Sequence, residues 1–363
     1  MNRASIFVFA ALLVPLAGGC ARPSQERAER DRTVGQAANA TVDVRVSGGL
    51  AAVRQLSSDR LALWASAPGF ELQLILREPV TLRVAIENAM PNAVLTELST
   101  STPLAAEPGE NPTKKSWQLT LPAGPSRLRL ATPEAATDGP FRFALMSDVQ
   151  EAIDRVGDIY RFVNAEPDIS FLLGAGDLTQ QGSVEELARY DRELARLGVP
   201  YYTTLGNHEL GNSPPPFQES HGRANFQFAY RGVYFTLLDS ASGTLDPIVY
   251  GWLDDWLDRA RNRVHIVAMH IPPLDPIGVR NGAFASRAEA AALLGDLAEG
   301  GVDLTLYGHI HSYYSFDNAG IPAFISGGGG AIPERFDDIG RHFMVFDVDP
   351  ELGVTEASVV RVD

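Results

Sequence analysis

Eight polar residues stand where an apolar run of this chain breaks off. Asp148 and Gln150 follow Phe141–Met146, Asp177 follows Ile169–Leu173, and Asn207 and His208 follow Tyr201–Leu205. His270 follows Val264–Met269, and His309 and His311 follow Leu304–Tyr307. The intervals from Asp148 to Asp177 and from Asp177 to Asn207 are 29 and 30 residues, about one strand–helix–strand unit. Gly176, Gly206 and Gly308 precede three of these positions, where a residue without a Cβ permits a sharp turn and close backbone approach. Two aspartates, an asparagine and three histidines are oxygen and nitrogen donors without sulfur. Such a set suits Mn, Fe, Zn or Co rather than Ca. It also exceeds what a single ion needs and fits two. His309 and His311 would face one side in an extended strand, whereas a tight loop would let each meet a different ion. The chemistry expected of such a set is metal-assisted hydrolysis. No Gly-x-Ser-x-Gly elbow and no phosphate-binding Gly-Lys-Ser/Thr loop accompanies it.

The elements that must carry these residues alternate. Helical spacing at Ile153, Val156, Ile159, Tyr160 and Val163 predicts a helix over 151–164. Ser183-x-x-Glu186 and Ser286-x-x-Glu289 are capping boxes that open helices over 183–197 and 286–299. A hairpin is expected around Arg231-Gly232, a helix over 252–261, and only strands and turns from Tyr313 to Val360. Strand–helix–strand succession implies parallel strands, and open α/β sheets hold ligands at the carboxyl ends of their strands. Residues 41–131 differ. Strict alternation at Val42, Val44 and Val46, at Leu72, Leu74 and Leu76, and at Leu82, Val84 and Ile86 predicts a small all-β sandwich. It lacks histidine, cysteine and clustered carboxylates. A Pro/Gly/Thr/Asp-rich stretch over 131–140 marks the boundary with a second domain, 141–363.

Taken in order, Asp148-x-Gln150, Gly176-Asp177, Gly206-Asn207-His208-Glu209, His270 and Gly308-His309-x-His311 resemble the calcineurin-like metallophosphoesterase superfamily. The glycine run Ser326–Gly330 is similar to a late turn in such proteins. The resemblance covers residues 141 to about 350. It implies a four-layer α/β/β/α core of two mixed sheets with a dinuclear metal centre at the strand ends. By that resemblance Asp148, Asp177 and His311 hold metal 1, Asp177 bridges, and Asn207, His270 and His309 complete metal 2. His208 binds no metal and serves the phosphoryl group and leaving oxygen as acid or charge stabiliser. Two cations would clamp a phosphate oxygen and acidify a shared water that attacks phosphorus in line. The substrate class implied is a phosphate ester, mono- or diester. Gln150 departs from the pattern, which usually has His there; an amide oxygen is the weaker donor, so metal 1 is expected to bind less tightly.

The remaining polar residues carry less. His221 is expected in a solvated Pro-rich loop, and His265 and His342 are expected to be structural. Tyr313 and Tyr314 either line the cleft or are strand aromatics. Glu209 either pairs with a basic group or is exposed.

With 45% hydrophobic residues the 363-residue chain fills a core, and its formal charge of −15 argues against a broad nucleic-acid face. A single cysteine, Cys20, excludes zinc-finger, Fe–S and disulfide scaffolds. It follows Arg3, a 12-residue apolar run over 6–17, and Leu16-Ala17-Gly18-Gly19. The run is too short to span a bilayer as a helix, which takes roughly 20 residues, and fits a signal peptide. The segment resembles a bacterial lipobox, which implies lipidation of Cys20, export and anchoring to the membrane, facing the periplasm. Residues 21–40 read as a solvated tether. Two other readings of the same motifs are a non-catalytic binding lipoprotein with a degenerate metal site and a nuclease of the same superfamily.

Overall fold

The computed structural model describes residues 23–278, 282–334 and 338–362. The expected signal peptide and Cys20 lie outside the described residues. Among the described residues no helix is long and apolar enough to cross a membrane.

The stretch expected as a solvated tether is a docked element. Pro23–Asp31 is a helix, α1, and Gln36–Ala38 a short strand. Arg27 and Asp31 are 2% and 1% exposed. The helix carries almost no apolar residues, so hydropathy gives no hint of burial. It is buried instead by polar contacts with residues about 200 positions later.

Residues 36–131 form two facing sheets. One has six strands, from Gln36–Ala38 through Val42–Val46, Phe70–Leu76, Gly124–Ala131 and Val94–Glu97 to Thr102–Leu104. The other has four strands, Ala51–Leu56, Arg60–Ala65, Val80–Glu87 and Lys115–Leu121. The alternating Val and Leu residues point inward; Val42, Leu72, Leu74, Leu82 and Val84 are fully buried. This β-rich region caps its neighbour. The Asn88 amide donates to Tyr201 O at 2.7 Å and accepts from Tyr201 N at 2.7 Å.

The described residues of the remainder contain eleven strands: β1 (Phe141–Met146), β2 (Ile169–Ala175), β3 (Tyr201–Thr204), β4 (Phe226–Tyr230), β5 (Val233–Leu238), β6 (His265–Met269), β7 (Leu304–Tyr307), β8 (Tyr313–Asn318), β9 (Ile321–Ser326), β10 (His342–Asp349) and β11 (Gly353–Arg361). One sheet runs β3-β2-β1-β10-β11 and the other β4-β5-β6-β7-β9-β8. Both are mixed. β1, β2 and β3 are parallel, as are β5, β6, β7 and β9, while β10, β11, β4 and β8 pair antiparallel. The two sheets bury their inner faces against each other. Phe143 stacks on Phe346 with centroids 4.9 Å apart and meets Phe235 edge-on at 5.3 Å. Helices cover the outer faces. α2 (Gly157–Ala165) and α3 (Val184–Leu194) lay Tyr160, Val163 and Tyr190 on the first sheet. α4 (Pro247–Ala260) and α5 (Arg287–Glu299) lay Leu253 and Leu293 on the second. The architecture is the expected α/β/β/α sequence of layers behind a β-rich region. Ser183 caps α3 in the full reciprocal box, and Ser286 caps α5 through Glu289 N.

Candidate metal centre

The parallel strands of both sheets end at one place, and the polar residues that terminate them meet there. β1 delivers Asp148, β2 Asp177, β3 Asn207 and His208, β6 His270, and β7 His309 and His311. Left-handed backbone aims four of the predicted site residues: φ is 62° at Asp148, 49° at Gln150, 53° at Asp177 and 69° at His309. A non-glycine residue in that region costs on the order of 1–3 kcal/mol and persists only where surrounding contacts hold it. They do so here. Val149 N and Gln150 N both donate to Asp177 O, at 2.9 and 3.2 Å, tying the first two strand ends together. Gly206 is needed because a Cβ there would collide with Asp177 Oδ1, and a Cβ on Gly308 would lie 2.5 Å from Ser147 Oγ.

Asp177 is the hub. Its Oδ2 lies 3.2 Å from His270 Nε2, accepts from Gln150 Nε2 at 2.9 Å and lies 3.9 Å from His208 Nε2. His270 Nε2 is 3.0 Å from Asn207 Oδ1. On the other side His311 Nε2 stands 3.5 Å from Asp148 Oδ1 and 3.0 Å from Gln150 Nε2. Ligand atoms of Asp177, His270 and His309 all lie within 4.8 Å of one another. The tight-loop alternative for Gly308–His311 is the one realised: no strand forms there, and His309 sits edge-on to His270, with ring centroids 5.1 Å apart. The cluster thus brings together every predicted site residue from Asp148 to His311. Cys20 lies outside the described residues.

Backbone carbonyls set the imidazoles. His270 Nδ1 faces Ala175 O at 2.8 Å, His311 Nδ1 faces Ile332 O at 2.7 Å, and His208 Nδ1 faces Gln180 O at 2.8 Å. For His270 and His311, an Nδ1 hydrogen committed to a carbonyl leaves Nε2 turned into the cluster as the nitrogen that would take a metal in place of a proton. The donor set therefore fits first-row divalent ions. Gln150 is 5% exposed and within the cluster; its Nε2 faces Asp177 Oδ2 and His311 Nε2, so its oxygen, a weaker donor than imidazole, would meet a metal there only with the amide turned over.

Charge is balanced internally. Burial disfavours the charged His270, yet the Asp177 and Asp148 carboxylates outweigh it and hold the imidazole up at about 9. Burial likewise works against ionised Asp177, but the charge of His270 leaves it well below the usual carboxylate range. Burial pushes Asp148 up, partly offset by His270 and His311.

Sequence reasoning missed several supports. Glu209 is neither exposed nor paired with a base. It is fully buried and accepts from Asp177 N at 3.0 Å, Gly206 N at 2.8 Å, Thr179 N at 2.9 Å and Thr179 Oγ1 at 2.9 Å. Burial, with the Asp177 charge beside it, pushes its carboxyl up to about 7. Its place directly after His208 was the only available signal. Ser147 Oγ bonds Asp148 Oδ2 and Ser326 O. His221 is 2% exposed, stacked on Phe217 and 3.1 Å from Asp191 Oδ1, so it is packed rather than solvated, although Gly211–Pro214 earlier in the Pro-rich loop are exposed. His265 is buried beside Thr236 Oγ1 at 2.8 Å.

Part of the chain is similar to known proteins. Residues 141–313 match the family model of the calcineurin-like phosphoesterases. A 3',5'-cyclic-nucleotide phosphodiesterase of Nostoc sp. is 26% identical over 164 residues, 42% of this chain and 60% of its own length. The 3',5'-cyclic adenosine monophosphate phosphodiesterase CpdA of Pseudomonas aeruginosa is 28% identical over 152 residues, 37% of this chain and 53% of its own. The chain thus spans about half the length of the curated relatives it matches. Among solved structures, PhoD aligns with a TM-score of 0.49 at 12% identity, over 81% of this chain and 87% of its own. A dimetal phosphatase from Danio rerio aligns with a TM-score of 0.47 at 15% identity, over 62% of this chain and 100% of its own. Five strand ends carry the motifs in order within residues 141–313, the span that is similar to the calcineurin-like phosphoesterases.

Proposed function

We propose that the chain is a two-metal phosphoester hydrolase, lipid-anchored through Cys20 outside the cytoplasm, with phosphodiesters as its first substrate class. The observation that carries the reading is the convergence on Asp177. A carboxylate with His270 and Asn207 on one side and Gln150, His311 and Asp148 on the other is the bridging ligand of a dinuclear centre. Asp148, Asp177, Gln150 and His311 would hold metal 1, and Asp177, Asn207, His270 and His309 metal 2. Bound there, Mn, Fe, Zn or Co ions supply Lewis-acid activation of water and of the phosphate. The protein's part is positional. Backbone carbonyls fix the histidine tautomers, and Glu209 locks the turns that carry Asp177 and Asn207. His208, held by Gln180 O and 28% exposed in its side chain, presents Nε2 to the leaving oxygen as proton donor. The choice of diester leans on the two curated relatives, which by name act on 3',5'-cyclic nucleotides. Export leans on residues 6–20 of the sequence.

The test is hydrolysis of bis(p-nitrophenyl) phosphate, p-nitrophenyl phosphate and 3',5'-cyclic AMP by Mn-loaded protein, with and without chelator. Chelator-sensitive turnover of a diester is expected. Chelator-insensitive turnover overturns the metal-dependent reading, and no turnover on any ester overturns it in favour of a binding protein. For the anchor, Cys20→Ser should leave soluble or unprocessed protein; a processed variant that still partitions with membranes removes the lipidation.

A further inference from the structure

We infer that helix α1, far outside the phosphoesterase domain in sequence, is the positioning element of the metal 2 half of the centre. This rests on the dinuclear reading above. Two residues one helical turn apart, Arg27 and Asp31, share a face of α1, and each grips a segment that leads to a metal 2 ligand.

Arg27 forks onto Asp239, with Nε donating to Oδ2 at 2.6 Å and Nη2 to Oδ1 at 3.1 Å, and Nη2 also donates to Ser242 Oγ at 3.0 Å. Both charged side chains are nearly inaccessible, at 2% and 3%. Asp239 opens the turn after β5, and the next residue, Ser240, accepts from Ile271 N at 2.8 Å. Ile271 directly follows His270. Asp31 takes four hydrogen bonds, from Gln218 Nε2 at 2.6 Å and from Ala224 N, Asn225 N and Asn225 Nδ2 at 2.9 Å each. Ala224 O in turn accepts from Thr204 Oγ1 at 2.8 Å. Thr204 ends β3, three residues before Asn207. Asn225 closes the circuit, because its Oδ1 accepts from Asp239 N at 2.8 Å. The two relays meet where His270 Nε2 and Asn207 Oδ1 lie 3.0 Å apart. Among the described hydrogen bonds, none of α1 leads to Asp148, Gln150 or His311. The helix therefore bears on one half of the centre. Groups that orient ligands from behind typically change metal affinity about 10–100-fold.

Removing Arg27 alone would strand a buried Asp239 and threaten the fold, so the test removes both charges. Arg27→Met/Asp239→Asn and the milder Asp31→Asn are compared with the parent by thermal melting, Mn²⁺ titration and hydrogen exchange of the metal-free protein. The variants are expected to melt cooperatively, keep one Mn²⁺ equivalent at parental affinity and bind the other about 10–100-fold more weakly. Exchange should quicken in segments 205–210 and 268–273 and stay unchanged in 147–150 and 308–312. Arg27→Lys, which keeps the charge but loses the fork, should fall between. Parental affinity at both equivalents with unaltered exchange in 205–210 and 268–273 overturns the inference, even if the melting temperature drops. Should the parent itself take up only one equivalent, the dinuclear reading fails, and the exchange pattern alone then decides the role of α1.

Discussion

In the dinuclear centre proposed above Asp177 would join the two halves, so its loss is the sharpest test at the scale of residues. Asp177→Asn should reduce bound metal to one equivalent or less and abolish turnover; two full equivalents by elemental analysis would remove the bridging role. His208 differs in kind, since its nitrogen nearest the centre is still 3.9 Å from Asp177 Oδ2. His208→Ala should keep its metal and lose roughly 10²–10⁴ in rate, the span of a positioned proton donor. The deficit should shrink for nitrophenyl esters, whose leaving group needs no proton, and an equal deficit across leaving groups would assign His208 to phosphate positioning. These residues were legible in the sequence because each is a polar residue breaking an apolar run, a pattern that survives without coordinates. Glu209 was not legible. A carboxylate facing water looks the same in sequence as one that receives three hydrogen bonds from a turn about 30 residues away and a fourth from Gly206.

At the scale of elements, what holds the strand ends in register is the aromatic seam between the sheets. Phe143 is fully buried there, against Phe346 and Phe235. Phe143→Ala should cost about 3–5 kcal/mol, read as a lower urea midpoint. Phe162→Ala on α2, where the ring is 41% exposed, should change it little. Strands and capped helices were readable from period and caps, but the helix expected over 151–164 opens as a kinked 3-10 segment over Gln150–Arg155 and becomes α-helical only at Gly157, and the one expected from 252 starts at Pro247. Two segments were not readable, for one reason. α1 and the loop around His221 are buried by polar and aromatic contacts with distant parts of the chain, whereas a hydropathy pattern reports only apolar burial. Asp31 and His221 look solvated until Asn225 and Asp191 are seen beside them.

At the scale of the whole molecule, acid stability has a readable contribution. Burial lowers the pKa of His265 to about 4, against about 6.5 in an unfolded chain. Between those values the unfolded state binds the proton and the folded state does not, so this contribution to stability shrinks as pH falls from about 6.5 to 4. It amounts to about 3 kcal/mol in all. His265→Gln should therefore lose less of its urea midpoint than the parent between pH 7 and pH 5; an identical loss would place the proton elsewhere. The β-rich region, finally, is not a separate bead on the chain. α1 precedes it yet packs on the far side of it, against Asp239 and Asn225, and Asn88 seals the edge strand β3. In folding terms α1 belongs with the body formed from residue 141 onward, and the β-sandwich is a guest inserted between them. Cutting the peptide chain within 132–140 should then release nothing. The two fragments should co-elute in gel filtration as one noncovalent particle, and they should separate only when the nick is combined with Arg27→Met/Asp239→Asn. A body expressed from residue 141 onward would display the bare backbone of β3 as a template for self-pairing.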